Sequence, residues 1–120
     1  MAARGGATAA PRPAQREACC SLYHYAIELV GKRWTGAIVI VLLDGPTHFS
    51  EIRQLVPDIS DRLLSERLKE LEAEGIVERR VIDGSPVRVE YKMTAKGHAL
   101  EPAVYAMKAW AHSWLPKRSR

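Results

Sequence analysis

Residues 47–75 read THFSEIRQLVPDISDRLLSERLKELEAEG, and this stretch decides the fold. Thr47 is suited to cap a short helix on which Phe49, Ile52, Leu55 and Val56 form one face, until Pro57 removes an amide donor and stops it. Pro57-Asp58-Ile59 then makes a turn, and Ser60 caps a longer helix. On that second helix Leu64, Leu68 and Leu71 fall on one stripe at about 100° per residue, and Gly75 is placed as its C-terminal stop. Short helix, tight turn and longer amphipathic helix make a helix-turn-helix candidate.

Beyond Gly75 the periodicity changes from helical to alternating. IVERRVI (76–82), the tip Asp83-Gly84-Ser85-Pro86 and VRVEYKMT (87–94) predict a hairpin with Val87, Val89, Tyr91 and Met93 on one face. Thr94 caps a final helical region lined by Leu100, Ala103, Val104, Met107, Trp110, Ala111 and Trp114, which Pro102 should kink or divide. Upstream, WTGAIVIVLLDGP (34–46) is apolar on all sides, and its length and Asp-Gly-Pro end favour a buried helix over a strand. Leu22, Tyr25, Ala26, Leu29 and Val30 recur at helical spacing up to Gly31, predicting a first amphipathic helix.

The order of these elements predicts a mostly helical α+β fold, a winged helix-turn-helix with a two-stranded wing and helices for dimerisation at both ends. A length of 120 residues suits one domain, expected over residues 18–116 after a disordered Ala/Gly/Pro/Arg arm (1–17) and before a basic tail (117–120). The 47% hydrophobic and 27% charged residues are ordinary for a globular protein, and no run reaches the ~18 apolar residues of a membrane span. The N-terminus lacks the apolar centre of a secretory signal, so the expected location is the cytoplasm. Cys19 and Cys20 are adjacent, which suits reduced thiols better than an unstrained disulfide. The net charge of +4 is uneven: residues 1–17 carry +2 and KRSR (117–120) carries +3, which leaves the body at −1. Overall basicity therefore says little, and the clustering of Lys and Arg decides.

The segments IELVGKRW (27–34), LLDGPTHFSEIRQLVPDISDRLLSERLKELEAEGIVERRV (42–81) and SPVRVEYKMTAKGHAL (85–100) together resemble HxlR-type bacterial transcription regulators, relatives of the MarR group, over roughly residues 20–115. The resemblance implies a homodimer that binds double-stranded operator DNA, often in response to oxidants, reactive electrophiles or a small-molecule effector. One departure is visible: the family often has Cys-Pro near the start of the first helix, where this chain has Cys20-Ser21.

A recognition helix presents its N-terminal residues and its outward face to the major groove. With the leucine stripe inward, the candidates are Ser60, Asp61, Arg62, Ser65, Glu66 and Lys69. Ser60 can also serve as a cap alone, and Glu66 can pair with Arg62 or Lys69 at helical spacing. Arg67 lies at the edge of the stripe; the resemblance implies a phosphate contact, while a salt bridge to Glu70 or Glu74 is the structural alternative. In the wing, Ser85 and Arg88 are expected at DNA with one of the paired arginines, Arg79 or Arg80, the latter being preferred.

Cys20 and Cys19 have three readings: small apolar side chains, thiol sensors at the positive end of a helix dipole, or part of a metal site with His24. No closely spaced ligand set defines a metal site, no cofactor is implied, and no nucleophile, oxyanion or phosphate-loop constellation suggests an enzyme. Leu22, Tyr25 and Leu29 with Met107, Trp110 and Trp114 are the expected dimer interface, the alternative being that they complete the monomer core. Tyr23, Trp34 and Trp110 are the candidates for a small apolar ligand, although Trp34 equally suits the core. A winged-helix protein-interaction module without DNA binding is the alternative function.

Overall fold

A computed structural model describes residues 20–117. The expected arm (1–17), Cys19 and the tail beyond Lys117 lie outside the described residues. The chain divides after Gly31 into two units. In the first, α1 (Ser21–Val30) starts behind Cys20 and ends at Gly31, whose N–H donates to the carbonyl of Ile27. None of its residues is buried; Leu22, Tyr23, Tyr25 and Ile27 are exposed, Leu29 and Val30 half-buried.

The second unit runs in the order α2 (Thr35–Leu43), β1 (Thr47–His48), α3 (Phe49–Leu55), α4 (Asp61–Ala73), β2 (Val77–Ile82), β3 (Arg88–Met93), α5 (Ala95–His98) and α6 (Glu101–Trp114). The apolar segment at 34–46 is a helix, and Ile38, Val39 and Leu42 on it are fully buried. Ile52 of α3 and the stripe Leu64, Leu68 and Leu71 of α4 are also at 0% exposure, and Ile76 before β2 with Val77, Tyr91 and Met93 of the sheet completes the buried core. The core of a winged helix-turn-helix is thus built from the helical and alternating positions of the sequence.

Two details differ from the sequence expectation. The sheet has three antiparallel strands in the order β1-β3-β2, because Thr47 and His48 pair with Tyr91 and Glu90. Thr47 consequently does not cap α3; its hydroxyl donates to the carbonyl of Gly45, and His48 takes the cap position with its N–H donating to the Glu51 carboxylate at 3.0 Å. Leu55, expected on the inner face of α3, is 63% exposed, while Val56 after the helix end is buried.

Other stops and starts follow local chemistry. The hydroxyl of Ser60 accepts from the Leu63 N–H at 3.1 Å. Gly75 adopts φ +77 just after α4, a left-handed conformation that closes a helix at little cost for glycine. Pro102 falls in the first turn of α6, where its missing N–H has no helical partner to lose, and so divides the last region into α5 and α6. Against the sheet, Gly97 lets α5 approach so closely that a Cβ there would lie 2.3 Å from the Ile76 carbonyl oxygen and 2.8 Å from the Met93 sulfur.

Leu68→Ala is expected to lower stability by about 2–5 kcal/mol in urea unfolding, since the closed core cannot collapse fully around the loss. Gly97→Ala forces a methyl group against the Ile76 carbonyl and should cost about 1–3 kcal/mol; an unchanged Tm would show that α5 does not sit this close to Ile76.

Candidate nucleic-acid interface

The leucine stripe sets which side of α4 is left to solvent. Arg62, Glu66, Lys69 and Ala73 are exposed, and Ser65 is half-buried on the flank toward the wing. Arg62 and Lys69 have neither an ion pair nor a hydrogen bond among the described residues. Beside them, Ser60, Arg62, Leu63 and Glu66 surround a shallow depression at the start of the helix.

Asp61 is already engaged. Arg53 of α3 grips it with Nε on Oδ1 at 3.1 Å and Nη1 on Oδ2 at 3.2 Å. The forked guanidinium matches both carboxylate oxygens, so this pair fixes the angle between the two helices of the motif. Its partners are 53% and 63% exposed, and in water such a pair contributes at most ~1 kcal/mol; its value is geometric. Asp61, a candidate for base contact, is thus already paired within the protein, while each of its oxygens keeps a further acceptor site.

For Arg67 the structure contains the ion pair. Its guanidinium lies 3.2 Å from Glu70, it is only 16% exposed, and its Nε–H donates to the carbonyl of Arg33 at 3.1 Å. Glu66 approaches the same guanidinium at 4.0 Å, in place of the expected pairing with Arg62 or Lys69.

The hairpin pairs Val77 with Met93 through to Ile82 with Arg88. Arg80 stands opposite Glu90 and pairs with it at 3.2 Å. Arg79 stands opposite buried Tyr91 and is exposed. Between the wing, the start of α3 and α4 runs an open cleft of about 560 Å³, to which Arg79 and Arg88 contribute from the strands, Phe49 and Ser50 from α3, and Ser65 from α4. Phe49 and Ser50 line this cleft and lie outside the sequence-based set; of the two arginines offered for the wing, Arg79 lines it and Arg80, the preferred one, is in an internal pair. Ser85 is exposed at the wing tip. The basic and hydroxyl side chains of this cleft suit a phosphodiester strand, with donors placed along both walls.

The remaining candidates lie elsewhere. Cys20 is exposed at the cap position of α1. Met107, Trp110 and Trp114 are 63%, 52% and 74% exposed on α6, where Trp110 and Met107 share a shallow groove with Ala103 and Ala106. Trp34 is half-buried, with the Arg33 guanidinium 5.1 Å from its ring centre, and Tyr23 is exposed on α1. Among the described residues no group of three or more His, Cys, Asp or Glu could hold a metal ion, and no helix is long and apolar enough to cross a membrane.

Comparison with known proteins agrees with this geometry. The family profile described as HxlR-like helix-turn-helix matches residues 29–119. YvaP of Bacillus subtilis, an uncharacterised HTH-type transcriptional regulator, is 48% identical over 96 residues, 80% of this chain and 89% of that protein. YodB of the same organism, an HTH-type transcriptional regulator, is 50% identical over 92 residues, 77% of this chain and 82% of YodB. The structure of reduced YodB superposes with a TM-score of 0.73 at 45% identity, covering 85% of this chain and all of that one, and YodB has also been solved bound to a quinone, with a TM-score of 0.71 at 46% identity over 80% of this chain and all of that one. The redox regulator HypR in its reduced form gives 0.74 at 40% identity, over 78% of this chain and 92% of HypR. With the recognition helix, its capped start and the wing all within the matched residues, the chain belongs to the HxlR-like helix-turn-helix family of transcriptional regulators.

Proposed function

We propose that the protein is a homodimeric transcription regulator that binds double-stranded DNA sequence-specifically and catalyses no reaction. The observation that carries this reading is the outward face of α4, where Arg62 and Lys69 have no partner among the described residues, beside a cleft holding Arg79 and Arg88. In this reading the start of α4, with Ser60, Arg62, Ser65 and Glu66, enters the major groove, Lys69 follows the backbone, and the wing lays Arg79, Ser85 and Arg88 along the flanking strand. The exposed apolar side chains of α6, with Leu22, Tyr25 and Leu29 of α1, supply the self-association that a palindromic operator needs.

A second reading concerns control. YodB has been solved bound to a quinone and HypR is a redox regulator, which supports Cys20, exposed at the start of α1, as the thiol through which oxidants or electrophiles act. Cys19 is its neighbour in the same role. A small apolar effector is the other route, and a protein-interaction module without DNA binding is the rival from a different class.

Arg62→Ala is expected to cost about 1–3 kcal/mol of discrimination between a duplex enriched from a random-sequence pool and a scrambled one. Arg88→Ala should weaken both duplexes alike and make the dependence of log Kd on log salt shallower by about one; an unchanged slope removes the wing from the interface. A wild-type protein whose binding shows no steep salt dependence would favour the interaction module.

Trp110→Glu should convert dimer to monomer in sedimentation, because an unpaired carboxylate cannot be buried at the interface. Treatment with a quinone or diamide is expected to release DNA from the wild type and not from Cys20→Ser. Equal release from wild type, Cys19→Ser and Cys20→Ser, or release from none of them, removes thiol sensing at this position.

A further inference from the structure

Arg67 and Glu70 lie one turn apart on α4, on the flank opposite Ser65 and the wing. What they hold is a stretch of backbone. Arg67 Nε–H donates to the carbonyl oxygen of Arg33 at 3.1 Å, and Nη1 reaches both oxygens of Glu70 at 3.3 and 3.2 Å. Glu70 in turn pairs with Lys32 Nζ at 3.2 Å. Two successive residues of the segment leading into α2 are thus tied to two residues of the recognition helix.

That segment is conformationally unusual. Trp34 has φ +78 and ψ −18, a left-handed conformation that a bulky side chain adopts at a cost of about 1–3 kcal/mol unless its surroundings impose it. The imposing contacts are present: the Arg33 guanidinium stacks over the Trp34 ring, Thr35 N–H donates to the Lys32 carbonyl at 3.0 Å, and Arg67 fixes the carbonyl of Arg33. The guanidinium is 16% exposed, with Nε and Nη1 committed to a carbonyl and a carboxylate, so its charge is already matched by Glu70 and its orientation is set from within the protein.

We propose that Arg67 is a positioning residue for DNA recognition and not a phosphate ligand: with Glu70 it clasps the Lys32–Arg33 backbone and thereby sets the orientation of α4. This rests on the DNA-binding reading above. It makes a prediction of opposite sign to that of a phosphate contact. Neutralising Glu70 removes negative charge and would strengthen binding if Arg67 simply faced DNA, whereas it weakens binding if Glu70 holds the clasp.

The test compares Arg67→Lys, Glu70→Gln and Lys32→Met with wild type on the enriched and scrambled duplexes across a salt series, each variant's folding being checked by urea unfolding. Arg67→Lys keeps the charge but loses the fork and the Nε donor. Lys32→Met leaves α4 untouched and serves if either α4 variant fails to fold. The expected result is a loss of discrimination of about two- to thirty-fold at an unchanged salt slope, with faster hydrogen exchange at the Thr35 amide. Tighter or unaltered binding by Glu70→Gln, wild-type behaviour of Arg67→Lys, or equal weakening on both duplexes with a slope lowered by about one overturns the proposal. If the wild type enriches no duplex, the DNA reading itself fails and the positioning role with it, while Thr35 exchange still reports whether the clasp holds the backbone.

Discussion

Full burial of Leu64, Leu68 and Leu71 commits α4 to one rotation about its axis, and the rest of the molecule's surface chemistry depends on that commitment. Burying one leucine side chain is worth about 1.5–3 kcal/mol, so a rotation that turned Lys69 or Arg62 inward would lose several times that and bury a charge as well. At about 3.6 residues per turn, a stripe at positions 64, 68 and 71 necessarily leaves 62, 66, 69 and 73 outward. The polar face of the recognition helix is therefore a by-product of core packing. Ile38, Val39 and Leu42 of α2 and Ile52 of α3 are buried in the same core as the stripe, and α4 contacts β2.

A chain body with a net charge of −1 acquires a basic face by neutralising its acids internally. Asp61 is held by Arg53, Glu70 by Arg67 and Lys32, Glu90 by Arg80, and Glu74 lies 3.9 Å from Lys96. Each pair contributes little stability where it is exposed. Collectively they subtract carboxylates from the potential around α4 and the wing, leaving Arg62, Lys69, Arg79 and Arg88 without partners among the described residues. Over distances of a Debye length, about 8–10 Å, this local arrangement matters more to a polyanion than the total charge does.

Elements with strong periodicity were legible in the sequence, and those set by tertiary pairing were not. The α4 stripe, the Ser60 cap and the division at Pro102 follow from local rules that tertiary contacts do not oppose. Strand β1 escapes because two residues carry no alternation; only the pairing of Thr47 with Tyr91 defines it. The choice between Arg79 and Arg80 turns on register. A four-residue tip at 83–86 sets Ile82 opposite Val87 and turns Arg80 toward the Tyr91 face, whereas the observed pairing of Ile82 with Arg88 gives that place to Arg79. A slip of one residue exchanges the faces of a strand, and the length of the turn is a poor guide to it. The contact between Arg67 and Arg33 spans 34 positions and has no signal in spacing at all.

The proposed two-fold assembly follows from what α6 leaves uncovered. This 14-residue helix has no buried residue, and only its half-buried side, with Val104, Tyr105 and Ala111, is occupied within its own unit, in which it contacts α2. An isolated helix of this length is marginal in water, so its stability has to come from packing of the remaining stripe. Two tryptophans and a methionine, with about 150–250 Å² of surface on each aromatic, form an apolar patch that in the proposed dimer a second copy would cover with the same residues. Because a dimeric reader meets half-sites about 34 Å apart, the spacing between its two copies of α4 is then inherited from the packing of the dimerisation helices. Control need not act at the DNA-reading face: any chemical event that shifts those helices changes how well both copies of α4 fit at once.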